Sequence, residues 1–149
     1  MSLFQTLEQD FKAALKAKDE VRVMVLRMLR TAMKNKEVEL RRKLEEPEVL
    51  GLISTQIKQR RDSIEQFHLG GREDLVRREE AELAVLEAYL PRQLSRAEVE
   101  AAAAALISEL GASSAKDLGR IMKAFMSKYA GQADGKVVSE VVKGKLAAL

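Results

Sequence analysis

The sequence predicts an all-α, multihelical protein of two helical sub-domains, about four longer helices followed by three shorter ones. Three observations lead there. Apolar residues recur at helical spacing through most of the 149 residues, and no stretch carries a strand signal. Aromatic residues make up 4% and Trp is absent, which suits helices packed by Leu, Val, Ile, Ala and Met better than a β-sandwich. Pro91 to Leu94 interrupts the helical pattern, dividing the chain into residues 1–92 and 93–149.

Ser2 followed by Gln5 forms a capping box, and Leu3, Leu7, Phe11 and Leu15 then recur every four residues as a first amphipathic helix. Asp19 caps a second, with Val21, Met24, Val25, Met28, Leu29 and Ala32 on its apolar face and a charged extension to about Glu45. Pro47 ends that run and suits the first turn of a third helix, where Leu50, Ile53, Ile57, Ile64 and Phe67 share a face. Gly70-Gly71 breaks the chain before a fourth helix marked by Leu75, Leu83, Leu86 and Leu90. Ser95 and Glu98 make a second capping box ahead of the Ala-rich helix 97–110, with Gly111 as its C-cap. Ser113 or Ser114 caps a sixth helix that ends before Gly131. Asp134 caps a seventh with Val137, Val138, Val141, Val142, Leu146 and Leu149 available for burial.

Composition narrows the function classes. With no Cys, disulfides, thiolate metal sites and Cys nucleophiles are excluded. No apolar run approaches the ~20 residues of a membrane span, and the stretch Met1 to Lys18 lacks the apolar centre of a secretory signal. A cytoplasmic protein without membrane contact is the expectation. The net charge of +3 is small, but Ser113 to Leu149 holds seven Lys/Arg against three acids, so the excess sits in the last quarter.

Candidate chemistry is sparse. Glu65-x-x-His68 has the spacing of a di-iron carboxylate motif, but such sites need two copies and further Glu ligands, and the chain has one His. No metal and no cofactor are therefore expected. Ser113-Ser114 with Lys116 has the residue types of a Ser/Lys nucleophile, yet serines just ahead of an apolar-periodic segment read as N-caps. Glu79, Glu80, Glu82 and Glu87 interleave with Arg77 and Arg78 and read as a solvated face, as do Arg41-Arg42-Lys43 and Lys58, Arg60 and Arg61. Gly119 reads as a close helix contact and Gly131 as a C-cap, while a helix N-terminus beside Arg120 and Lys136 suits a phosphate. Aromatic platforms for bases are missing, so any RNA contact is to backbone and shape.

At a defined set of residues the chain resembles the YqeY-like family. The matching pieces are Met28-Leu29-Arg30 to Glu37; Gln59-Arg60, Asp62-Ser63-Ile64 and Phe67; Gly71-Arg72-x-Asp74-Leu75; Glu79 and Glu82; and Tyr89-Leu90-Pro91. Beyond Pro91 they are Asp117-Leu118-Gly119, Ile121-Met122, Ala133-Asp134-Gly135-Lys136 and Val142-Lys143, so nearly the whole chain is covered. Arg120 departs from the Lys expected in much of the family. The family shares its domain with the C-terminal tail of GatB, a subunit of the glutamine-dependent tRNA amidotransferase, where the tail helps hold tRNA while other domains perform the chemistry. The resemblance thus implies a non-catalytic, tRNA-contacting accessory module. Its partners are tRNA and an amidotransferase or other translation-related protein. The family label of carbon–nitrogen ligase activity with glutamine as amido-N-donor attaches by inheritance, and no residue of this chain is a candidate to carry it. Combined with the local charge excess, the resemblance points to Arg120, Lys123, Lys136, Lys143 and Lys145 as nucleic-acid-binding residues. The alternative is a helical protein–protein interaction module with no RNA binding, in which Met24, Met28, Met33, Met122 and Met126 supply an adaptable surface.

Overall fold

A computed structural model describes residues 2–149; Met1 lies outside the described residues. The elements run α1 Leu3–Ala17, α2 Glu20–Leu40, α3 Glu46–Leu69, α4 Glu73–Glu87, α5 Arg96–Glu109, a 3₁₀ turn Ala115–Asp117, α6 Leu118–Lys128 and α7 Gly135–Ala147. All the regular structure among the described residues is helical. The chain divides into two compact units, one ending at Leu90 and the other spanning Pro91–Leu149.

Helix starts follow from short polar side chains that satisfy the orphan N–H groups of a first turn. Ser2 Oγ accepts from Gln5 N–H while Gln5 Oε1 accepts from Ser2 N–H. Asp19 caps α2 through Arg22 N–H, Ser95 caps α5 through Glu98 N–H, and Asp134 caps α7 through Lys136 N–H. Pro47 sits in the first turn of α3, where its missing N–H costs nothing. Gly71, at φ 70°, takes the left-handed position after α3, and Arg72 N–H then reaches back to Phe67 O at 2.9 Å.

The first unit buries one cluster in which Leu7 and Phe11 of α1 meet Val25, Leu26 and Leu29 of α2. Val49, Ile53 and Ile57 of α3 and Val85 and Leu86 of α4 complete it. Tyr89 ties the end of α4 to α1, its hydroxyl donating to Asp10 Oδ2 at 2.6 Å. Burial, then this bond, pushes the phenol well above its ordinary value. The second unit has its own core, with Val99, Ala103 and Ile107 of α5 packed on Ile121 and Phe125 of α6 and Val138, Val141 and Val142 of α7.

Three details differ from the sequence expectation. Leu15 is exposed and Ala14 buried, because steps of four residues drift about 40° round a helix and carry the fourth residue off the core face. Helix α2 stops at Leu40 rather than near Glu45. Arg41 turns left-handed at φ 56°, which returns the chain so that Leu44 enters the core and Arg42 grips Glu48 with two hydrogen bonds of 2.7 and 2.8 Å. The buried face of α2 is Val25, Leu26 and Leu29, with Met33 and Leu40 packed against it, whereas Met24 and Met28 face outward.

Gly51 lies inside α3 with open space where a Cβ would project. A helical glycine with no packing reason costs about 0.5–1 kcal/mol relative to alanine. Gly51→Ala is therefore expected to raise stability by that amount, measured as a higher urea midpoint at unchanged m-value.

Candidate functional site

In Pro91–Leu149 nine Lys/Arg face six Asp/Glu, so this unit carries the whole net charge and the first unit is neutral. The two kinds of cation behave differently there. Each arginine is engaged: Arg92 with Glu98, Arg96 with Glu100 and Glu140, and Arg120 with Asp117. Lys123, Lys136, Lys143 and Lys145 have no ion-pair partner among the described residues; the first three are exposed and Lys145 is half-buried.

Position on the helices decides which of them act together. Lys136 and Lys143 are seven residues apart on α7, just under two turns, and so share one stripe about 10 Å apart. Lys145 falls nine residues from Lys136, half a turn round, and projects from a different side. Lys123 stands on α6, which packs against α7.

Arg120, half exposed, also makes bonds within its own unit. Its Nη1 donates to Leu110 O at 2.8 Å, at the C-terminal end of α5, and its Nη2 donates to Asp117 Oδ1 at 3.2 Å. The other oxygen of Asp117 accepts from Ser113 N–H at 2.9 Å and Ser114 N–H at 3.3 Å. These two N–H groups first, and Arg120 after them, hold the Asp117 carboxyl below its ordinary value. Arg120 is thus a clamp between the end of α5 and the start of α6. The α7 N-terminus is also taken, since the Asp134 carboxylate accepts Lys136 N–H at 2.9 Å and places a negative charge where a phosphate would sit. Nor does Gly119 mark a close helix approach: a Cβ there would meet nothing within 4 Å. Gly131, at φ 71°, occupies the left-handed position in the turn after α6. Its carbonyl accepts from Gln93 Nε2 at 2.7 Å, and the neighbouring Gln132 carbonyl accepts from Leu94 N–H at 2.8 Å.

Of the other candidates, Ser114 Oγ caps the 3₁₀ turn through Lys116 N–H, and His68 Nδ1 lies 2.6 Å from Glu73 across the Gly70-Gly71 break.

Arg92, though largely exposed, makes the closest of these pairs. Both its terminal nitrogens bind Glu98, at 3.0 and 2.7 Å, and Glu98 also accepts from Ser95 N–H. The Arg92 hydrogen bond chiefly, then the backbone one, brings the Glu98 carboxyl down from 4.5 to about 2. A carboxylate lowered on folding adds stability above its unfolded value, and that contribution is lost as pH falls through the folded value. The advantage of the wild type over Glu98→Gln, read from melting temperatures, is therefore expected at neutral pH and to vanish between pH 4.5 and about 2.

The first unit holds what the sequence reading missed. Arg60 and Glu82, assigned to solvated faces, are 7% and 3% exposed. Arg60 Nη1 donates to Glu82 Oε2 and, at 3.2 Å, to Glu79 Oε2, while Arg78 lies 3.6 Å from the other Glu82 oxygen. Two cations and two anions thus balance inside the α3–α4 pairing. A signal was present: Val49, Ile53, Ile57 and Arg60 follow one another at four, four and three residues, so Arg60 continues the core stripe.

These features define an all-helical protein with a lysine-bearing surface on one unit and a buried charge cluster in the other. The profile of the family described as Yqey-like protein matches residues 4–146, and the chain belongs to the YqeY-like family. It is also similar to proteins named "Altered inheritance of mitochondria protein 41, mitochondrial". That of Lachancea thermotolerans is 41% identical over 107 residues, 70% of this chain and 57% of the relative. That of Kluyveromyces lactis is 39% identical over 108 residues, 70% and 58%. That of Eremothecium gossypii is 37% identical over 107 residues, again 70% and 58%. The chain thus spans somewhat over half the length of these relatives. Their names speak of mitochondria, which overturns the cytoplasmic expectation. That expectation rested on absent cysteines and an unremarkable N-terminal stretch, neither of which separates one internal compartment from another. No described helix is long and apolar enough to cross a membrane.

Proposed function

We propose that the chain is a non-catalytic RNA-contacting accessory module, and that tRNA, the ligand implied by its resemblance to the GatB tail, is the RNA it contacts. One observation carries the reading: in Pro91–Leu149 every arginine has a carboxylate partner while Lys123, Lys136 and Lys143 are exposed without one. An unpaired surface ammonium is a mobile point charge suited to phosphates along a backbone. Lys123, Lys136 and Lys143 are the contacting residues, with Lys145 peripheral and Arg120 shaping the surface that bears them. Without stacking aromatics, affinity rests on counterion release and on the shape of the folded RNA.

The test is titration of the purified chain with bulk tRNA and with an unstructured RNA of equal length, across ~50–200 mM salt. Saturable binding that favours tRNA and weakens steeply with salt is expected. Absence of binding at the lowest salt would overturn the reading.

A further inference from the structure

Helix α2 carries a row of side chains that its own unit covers only in part, Arg60 Nη2 donating to Met28 Sδ at 3.6 Å and Arg78 Nη2 to Met24 Sδ at 3.9 Å. Met24 is 37% exposed, Met28 50% and Val38 71%. Together with exposed Thr31 and Asn35 they recur at intervals of four, three, four and three residues. That is the 3.5-residue repeat by which one helix keeps a face against another helix. An open groove of about 800 Å³ follows the first three turns of this row. Gln56 of α3 stands in its wall, with its Oε1 buried and lacking a hydrogen-bond partner.

Charge distinguishes the two edges of the row. Arg27 and Thr31 also line an adjoining hollow of about 450 Å³ that contains Arg30, Lys34 and Lys43. The two acids there are already engaged, Glu8 with Arg30 at 3.1 Å and Glu37 with Lys43 at 3.9 Å. Arg27 and Lys34, exposed and seven residues apart, have no ion-pair partner among the described residues, and the exposed Glu20, seven residues before Arg27, ends this basic flank at the start of the helix. They occupy the flanking position from which coiled-coil helices select partners by charge.

We propose that this α2 row is the docking site for an amphipathic helix of a partner protein, apolar at heptad spacing and acidic along one flank. Methionine suits such a seam because its unbranched, polarisable side chain adapts to differing contours. A second copy of this chain gains nothing by charge: antiparallel pairing centred near Arg30–Thr31 sets Arg27 against Lys34 of the other copy, which Glu20 against Arg41 only offsets. The partner's acidic flank neutralises Arg27 and Lys34.

The experiment uses two labelled 21-residue helical peptides with the same leucine seam, one flanked by Glu and one by Lys, titrated against the full chain by fluorescence anisotropy. The Glu-flanked peptide is expected to bind saturably, and either Met24→Glu or Met28→Glu to weaken it at least tenfold. The double variant Arg27→Glu/Lys34→Glu is expected to reverse the preference between peptides by at least tenfold. All three variants change exposed side chains, so unchanged circular dichroism is expected and confirms that each is folded. Failure of both peptides to bind, or an unaltered preference in the charge-reversed variant, would overturn the proposal. So would a concentration-dependent dimer abolished by Met28→Glu, which would give the seam to a second copy. Displacement of the peptide by tRNA that is lost with Arg27→Glu/Lys34→Glu would give it to RNA and equally overturn it.

Discussion

Arg60→Met is expected to lower the stability of the first unit by about 3–5 kcal/mol, the usual cost of removing one partner from a buried ion pair. The Arg60 and Glu82 side chains are 8% and 5% exposed, so neither reaches water to recover its lost hydration. Without Arg60, Glu82 keeps only Arg78, at 3.6 Å and itself 60% exposed, while Glu79 at 21% exposure turns more readily to solvent. Glu82 thus bears most of the loss. The double variant Arg60→Met/Glu82→Leu is expected to recover most of it, because apolar side chains of similar volume avoid the desolvation the pair has to overcome. Urea titration followed by circular dichroism reads both: a large fall for the single variant, and a double variant within about 1 kcal/mol of wild type. A single variant as stable as wild type would mean that the cluster is open to water. The unpaired Arg60 Nε bears on the same point, since a buried donor without an acceptor already costs about 1–3 kcal/mol that the apolar pair would not incur.

The parts of the fold that sequence made legible are those decided within one helical turn. Ser2, Asp19, Ser95 and Asp134 cap because their own side chains reach N–H groups two or three residues ahead, whatever the rest of the chain does. Pro47 and Gly71 are local in the same way. What escaped depends on a second helix. Arg60 looks like part of a charged run until α4 brings Glu79 and Glu82 against it. Met24 and Met28 look like core until α3 and α4 pack on the neighbouring face of α2, one residue round at Val25, Leu26 and Leu29. The candidate site was legible as a region, from the charge excess after Ser113. Its residues were not separable, because only folding shows that Leu110 O and Asp117 bond Arg120 while Lys123, Lys136 and Lys143 have no ion-pair partner.

That separation yields the second large effect. On the proposed RNA-contacting function, the triple variant Lys123→Ala/Lys136→Ala/Lys143→Ala removes three phosphate contacts. It is expected to lower the slope of log affinity against log salt by roughly 2.7 if the contacted RNA behaves as a duplex, at about 0.9 per contact. Over a fourfold rise in salt, wild-type binding should then weaken roughly fortyfold more than binding of the variant. Each lysine is exposed and unpaired, so the thermal midpoint should barely move. Arg120→Ala should differ. It frees Leu110 O and Asp117 from their clamp and lowers the melting temperature of Pro91–Leu149, and it changes the salt slope less than the triple variant does, because one charge is removed rather than three and two of its donors are already bonded within the unit. A salt slope that falls with Arg120→Ala and ignores the three lysines would reverse the assignment and place the RNA against the turn between α5 and α6. The two variants separate because one removes three ammonium groups without an ion-pair partner and the other a single guanidinium that already shares its charge with Asp117.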